Sequence, residues 1–161
     1  MAAEIRSAIG SYRVMTITGM GGAGKTRLAM QLAADTIDDF EHGVRLVELA
    51  AVADDALVAD AVAATLGYQP APDVSRFDTV ANGIGDRQLL LVLDNCEHVI
   101  DAVHELVQHL VGRCPSLTVL ATSRERIGAT GEAVFAVPPM AMPGDDDVAA
   151  VRAASAVQLF A

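Results

Sequence analysis

The sequence predicts an α/β fold, a five-stranded parallel sheet held between two layers of helices. Three observations predict it. Apolar runs of strand length alternate with segments whose apolar residues recur at helical spacing, the pattern of strands joined by crossover helices. Gly19–Thr26 reads Gly-Met-Gly-Gly-Ala-Gly-Lys-Thr, a complete G-x-x-x-x-G-K-[ST] pattern between a strand-like and a helix-like run. Leu89-Leu90-Leu91-Val92-Leu93 is an unbroken apolar run closed by Asp94, as expected of a central strand covered on both faces.

The elements follow in order. Val14–Thr18 reads as the first strand and roughly Lys25–Ile37 as the first helix. After a turn at His42-Gly43, Val44–Leu49 reads as the second strand. Asp54-Asp55 suits the cap of a helix running to Leu66, with Gly67 as its stop. Pro70 and Pro72 mark a loop, and Phe77, Val80 and Ile84 a short helix before the third strand at Leu89–Leu93. Val99, Val103, Leu106, Val107 and Leu110 share a helical face that ends near Gly112. Leu117–Ala121 and Ala133–Val137 read as the fourth and fifth strands. The prolines after Val137 and the Pro143-to-Asp147 run punctuate the chain, and Val148–Ala161 reads as a helix without a closing cap. We therefore expect a core at 1–142, then a linker and the start of a truncated helical subdomain at 143–161.

The glycine-rich pattern answers the demands of phosphate groups. Glycines let backbone N–H groups converge on an anion, and the following helix turns its positive end toward the same point. Lys25 supplies a mobile charge for β- and γ-phosphates, and Thr26 a hydroxyl for Mg²⁺. The candidate phosphate-binding set is Gly19, Gly21, Gly22, Ala23, Gly24, Lys25, Thr26 and Arg27. A turn that merely joined strand to helix would not require Lys-Thr at its end. Asp94 closes its strand where a P-loop fold places an acid that holds Mg²⁺, so Thr26 and Asp94 are the candidate metal pair. The bland alternative for Asp94 is a helix cap.

Four further residues bear on catalysis. Asn95 stands where hydrolytic P-loop enzymes often carry a second acid, and an amide is a poor proton acceptor. Glu97 either substitutes for that acid or complements a helix dipole. His98 reads as a surface or capping residue. Arg124, after Thr122-Ser123 at the end of an inner strand, is either a γ-phosphate sensor or part of a solvated cluster with Glu125 and Arg126. The candidate catalytic set is Lys25, Asp94, Asn95, Glu97 and Arg124, and the expected chemistry is slow.

Bulk properties set the bounds. A chain of 161 residues is one ordinary domain, and its 52% hydrophobic content argues against disorder. The net charge of −10 argues against direct grip on nucleic acid by this segment. No apolar run approaches the ~20 residues of a bilayer span, and the start lacks a signal peptide's pattern, so a cytoplasmic location is expected. Cys96 and Cys114 are too few for a disulfide scaffold and read as reduced packing residues.

The run Thr18–Ala29, the segments Arg45–Ala50, Leu93-Asp94-Asn95-Cys96-Glu97-His98 and Ala121-Thr122-Ser123-Arg124-Glu125, and Gly131-Glu132 followed by Val137-Pro138-Pro139-Met140 occur here in order. Together they resemble the ATPase module of LuxR-type and AfsR-like bacterial transcriptional regulators, within the STAND group of signalling ATPases related to NB-ARC domains. The resemblance covers nearly the whole chain. It implies ATP or ADP with Mg²⁺ at Lys25, Thr26 and Asp94, and a sensor role for Arg124. It further implies partner domains outside this chain (helical, winged-helix and helix-turn-helix), with homo-oligomerisation on activation. The expected function is a slow ATPase switch. A small P-loop kinase and a degenerate interaction module that binds nucleotide poorly remain as alternatives.

Overall fold

The computed structural model describes residues 1–139. The expected linker and helical stretch at 143–161 lie outside the described residues. Five strands, β1 (Val14–Thr18), β2 (Val44–Glu48), β3 (Leu89–Asp94), β4 (Leu117–Ser123) and β5 (Glu132–Ala136), form one parallel sheet in the order β2-β3-β4-β1-β5. Helices α1 (Ala2–Ala8) and α2 (Lys25–Thr36) cover one face. Helices α3 (Val58–Leu66), α4 (Arg76–Ile84) and α5 (Ile100–Arg113) cover the other. This is the three-layer α/β/α arrangement that the alternating runs predict.

The reason is visible within β3. Successive side chains point to opposite faces of a strand. Leu89, Leu91 and Leu93 accordingly enter the core under α3, α4 and α5, while Leu90 and Val92 enter the core under α1 and α2. None of the five exceeds 3% exposure, so each contributes about 1.5–3 kcal/mol of burial. A strand with one polar face could not serve both layers.

Local signals set the helix ends. Ser75 accepts a hydrogen bond from the Asp78 amide to start α4, and Gly67, at φ +78°, ends α3 in the left-handed region. Asp54 caps a 3₁₀ turn at Asp55–Leu57 that precedes α3, so the expected single helix from Asp54 is a turn followed by a helix. Arg13 ties the end of α5 to the sheet by donating to the carbonyls of Val111, Cys114 and Leu117.

Two further features depart from the sequence expectation. The start of the chain forms α1, which buries Ile5, Ala8 and Ile9 against the α2 face. The fourth strand extends two residues further than expected, because Thr122 and Ser123 pair in register with Ile17 and Thr18 of β1. Among the described residues no helix is long and apolar enough to cross a membrane.

Candidate functional site

The carboxyl ends of β1, β3 and β4 meet at one edge of the sheet, where open α/β folds form their ligand crevices. From Thr18 the chain turns through Gly19–Gly24 into α2. Gly22 and Gly24 sit at φ +80° and +85°, a region side chains rarely enter, and Gly24 is the N-cap of the helix. The first turn of α2 carries no acidic residue, so its positive end stays available to an anion. Lys25 is only 6% exposed, and its ammonium donates to the carbonyls of Gly19 at 2.8 Å and Met20 at 2.9 Å. The charge is thereby held inside the loop.

Asp94 is the hub of the polar contacts. It is 3% exposed. The Thr26 hydroxyl lies 2.9 and 3.1 Å from its two oxygens, and the Thr122 hydroxyl donates to Oδ1 at 2.6 Å. The Asn95 amide nitrogen donates to Oδ2 at 3.2 Å. Asn95 itself turns the chain at φ +60°, a left-handed conformation that Asn tolerates. Thr122 fixes this turn as well: its Oγ1 accepts from the Asn95 backbone N–H at 2.9 Å, and its carbonyl from Cys96. Thus Thr122, just before Arg124 at the end of the inner strand, is turned to Asp94 and Asn95. Ser123 caps the next turn by accepting from the Glu125 N–H.

A cleft of about 830 Å³ opens over the loop. Residues Gly21–Thr26 form its floor, Arg27, Met30 and Gln31 of α2 one wall, and Asn95 and Glu97 the other. Asp94 lies behind Thr26, below this surface. Glu97 opens a 3₁₀ turn at Glu97–Val99, and its Oε2 is buried with no hydrogen-bond partner among the described residues. Arg124 approaches from the β4 side: its Nη2 lies 3.2 Å from where a Cβ on Gly21 would stand. His98 turns away and pairs with the Val52 carbonyl. Cys96 and Cys114 are free and buried, and burial pushes both thiols up, Cys96 also through the charges of Glu97 and Asp94.

The residues fit a magnesium–nucleotide. A hydroxyl and a carboxylate are the hard oxygen donors Mg²⁺ takes alongside phosphates and water. The loop amides, helix end and Lys25 suit the phosphates themselves. Glu97, whose Oε2 is left without a partner, is among the residues lining the same space. Lys25, Thr26, Asp94, Asn95 and Glu97 are therefore brought together, with Arg124 against the loop at Gly21. Thr122 is the member whose task the sequence does not reveal; the signal was a threonine at the end of an otherwise apolar inner strand.

Comparison with known proteins gives the following. The NB-ARC domain profile matches residues 5–133. A Mycobacterium tuberculosis protein provisionally named an HTH-type transcriptional regulator is 41% identical over 157 residues, covering 98% of this chain and 16% of that protein. An uncharacterised protein of the same organism is 39% identical over 142 residues, 88% of this chain and 36% of its own. The chain thus spans well under half the length of both relatives. Among solved structures, the Signal Transduction ATPase with Numerous Domains (STAND) protein with a tetratricopeptide repeat sensor from Pyrococcus horikoshii superposes with a TM-score of 0.59 at 20% identity, over 84% of this chain and 22% of that one. Cdc6p from Pyrobaculum aerophilum gives 0.60 at 15% identity, over 84% and 44%. These likenesses show the fold, that of a P-loop NTPase.

Proposed function

The chain belongs to the NB-ARC domain family, and from that premise we propose that it is the ATP- and ADP-binding switch module of a larger transcriptional regulator. One observation carries the reading: the Thr26–Asp94–Thr122 junction ties the phosphate loop, the acid strand and the strand of Arg124 into one hydrogen-bonded unit. The regulator assignment draws on the name of the mycobacterial relative, and the core at 1–142 with a linker at 143–161 is part of the same proposal.

Each residue has a task under this reading. Amides of Gly21–Thr26 and the Lys25 ammonium neutralise the β- and γ-phosphates. Thr26 and Asp94 hold Mg²⁺, which when bound withdraws charge from the phosphate oxygens. Arg124 contacts the γ-phosphate from the β4 side. Asn95 is engaged as a donor to Asp94, leaving Glu97 as the carboxylate at the cleft wall to accept a proton from water. ATP and ADP differ in the group Arg124 reads, and only such differential contacts shift a conformational equilibrium. Hydrolysis is the slow reset.

Calorimetric titration with MgATP and MgADP tests this. Lys25→Ala should weaken MgATP by at least ~100-fold, since charge-assisted contacts to two phosphates of about 1.5–3 kcal/mol each disappear, and MgADP by at least ~10-fold, since one does. Undiminished affinity would sink the assignment.

A further inference from the structure

Glu132 lies outside the cleft, yet its surroundings lead back to Arg124. It opens β5, and its side chain is only 2% exposed. Its Oε1 accepts from the Thr16 hydroxyl of β1 at 2.5 Å and from the Ile127 N–H at 2.8 Å, and its Oε2 accepts from the Gly128 N–H at 2.8 Å. Two successive backbone N–H groups converge on this carboxylate, with Gly128 at φ +85°, the geometry of an anion nest filled by the protein's own anion. Arg126 adds a rim charge at 3.8 Å.

The topology explains why an anchor is needed. Ser123 ends β4 opposite Thr18, whereas Glu132 begins β5 opposite Val14. The chain must therefore return along the sheet through residues 124–131, and no helix forms there. Four strand positions span ~13 Å, whereas eight extended residues reach about 27 Å, so the crossover has slack. The slack is removed at its midpoint. Glu132 holds Ile127 and Gly128 from the sheet side, and His104 of α5 bonds the Ile127 carbonyl at 3.1 Å from the helix side. Gln108 holds Thr130 beyond them. Arg124, Glu125 and Arg126 are left as a three-residue bridge between Ser123 and the Glu132 anchor.

We propose that Glu132 is a positioning residue for Arg124: it clamps the crossover so that the guanidinium stays beside Gly21. The inference rests on the reading of Arg124 as the γ-phosphate contact. A carboxylate is required because it only accepts. Glutamine would set an N–H₂ against the N–H of either Ile127 or Gly128, whichever way it turned.

The test is a double-mutant cycle on the 161-residue chain, titrated calorimetrically with MgATP and MgADP. Glu132→Gln should weaken MgATP about tenfold and MgADP by less than about twofold, and should add nothing once Arg124→Ala is present. Equal losses for both nucleotides, a full Glu132→Gln effect surviving in the Arg124→Ala background, or no effect at all would each overturn the proposal. An Arg124→Ala protein that binds both nucleotides like the wild type overturns the reading of Arg124 and, with it, the clamp's purpose. A wild-type-like Glu132→Gln beside a defective Arg124→Ala overturns the clamp alone. Should Glu132→Gln fail to fold, Gly128→Ala strains the same crossover without touching the carboxylate. It must then reproduce the selective MgATP loss, and a uniform loss refutes the clamp.

Discussion

Thr122→Val is the most discriminating single change, because valine keeps the shape and deletes only the hydroxyl. That hydroxyl is fully buried, donates to Asp94 at 2.6 Å and accepts from the Asn95 N–H at 2.9 Å. The bond to a carboxylate is worth about 2 kcal/mol, and the orphaned Asn95 N–H costs about 1 kcal/mol, the low end because Asn95 is half-exposed. Asp94 keeps its bonds from Thr26 and from the Asn95 side chain, so no larger collapse is expected. A loss of about 3 kcal/mol lowers Tm by about 6–12 °C in a chain of this size. Thr122→Ser retains the hydroxyl and loses one methyl, about 0.8 kcal/mol, or about 2–3 °C. Scanning calorimetry of the two variants separates the terms. With Mg²⁺ and ATP, Thr122→Val should also lose 10–100-fold in apparent metal affinity, the usual effect of removing a group that orients a metal ligand. Equal melting of the two variants, or an unchanged metal titration, would refute the assigned role of the hydroxyl.

Other perturbations probe separate parts. Asp94→Ala should bring the ATP affinities with and without Mg²⁺ together; a persisting difference between them contradicts the metal role. Asn95→Asp replaces a donor by a second carboxylate in a turn that Asp also tolerates, and single-turnover orthophosphate release should rise at least ~10-fold if a missing acid slows the chemistry; an unchanged rate places the slow step elsewhere. Cys96 and Cys114, with thiols pushed up by burial, should resist a disulfide reagent at pH 8 until denaturant is added, and rapid labelling of the native chain would contradict their packing. Asp78 is held below the ordinary carboxylate range by its hydrogen bond from His109, then by that from Ser75. A depressed pKa adds stability above the unfolded value of about 3.9 that is lost as pH falls through the folded one, so Asp78→Asn should show a shallower decline in Tm below about pH 4; parallel curves would count against the link.

Much of this was legible in the chain because the informative residues act locally. A strand buried on both faces must be apolar throughout, which makes Leu89–Leu93 unmistakable. The phosphate loop needs glycine, lysine and threonine at fixed offsets, so it announces itself. What remained hidden depends on which strands become neighbours. The insertion of β4 between β1 and β3 has no local signature, and without it the Thr122 hydroxyl has no direction. Glu132 reads as an ordinary acid until the crossover brings Ile127 and Gly128 back over the sheet. Asn95 looked like a substituted acid, whereas its left-handed backbone and its bond to Asp94 give the amide a local purpose. Helix α1 carries a visible signal in Ile5, Ala8 and Ile9 at helical spacing, but a helix of seven residues is too short a window for periodicity to declare it.

The strand order has a mechanical consequence. Because β1 and β3 are not neighbours, Thr26 reaches Asp94 across the end of β4, and the last residues of β4 lie beneath that bridge. Asp94 therefore receives donors from three segments: α2, β4 and its own turn. Among the described residues none of these donors is a cation, and Lys25 spends its bonds on loop carbonyls. Burying a carboxylate without a counter-charge costs several kcal/mol, only partly offset by neutral hydrogen bonds. A divalent cation at Thr26 and Asp94 would relieve that cost where the loop, the acid strand and the Arg124 strand converge. Ligand binding would then stabilise all three elements together, by RT ln(1 + [L]/Kd). The exit from β5 shares this arrangement, since the Val137 N–H donates to Thr18 at 2.7 Å and its carbonyl lies 3.0 Å from where a Cβ on Gly19 would stand. The point where the chain leaves the sheet is thus in direct contact with the start of the phosphate loop.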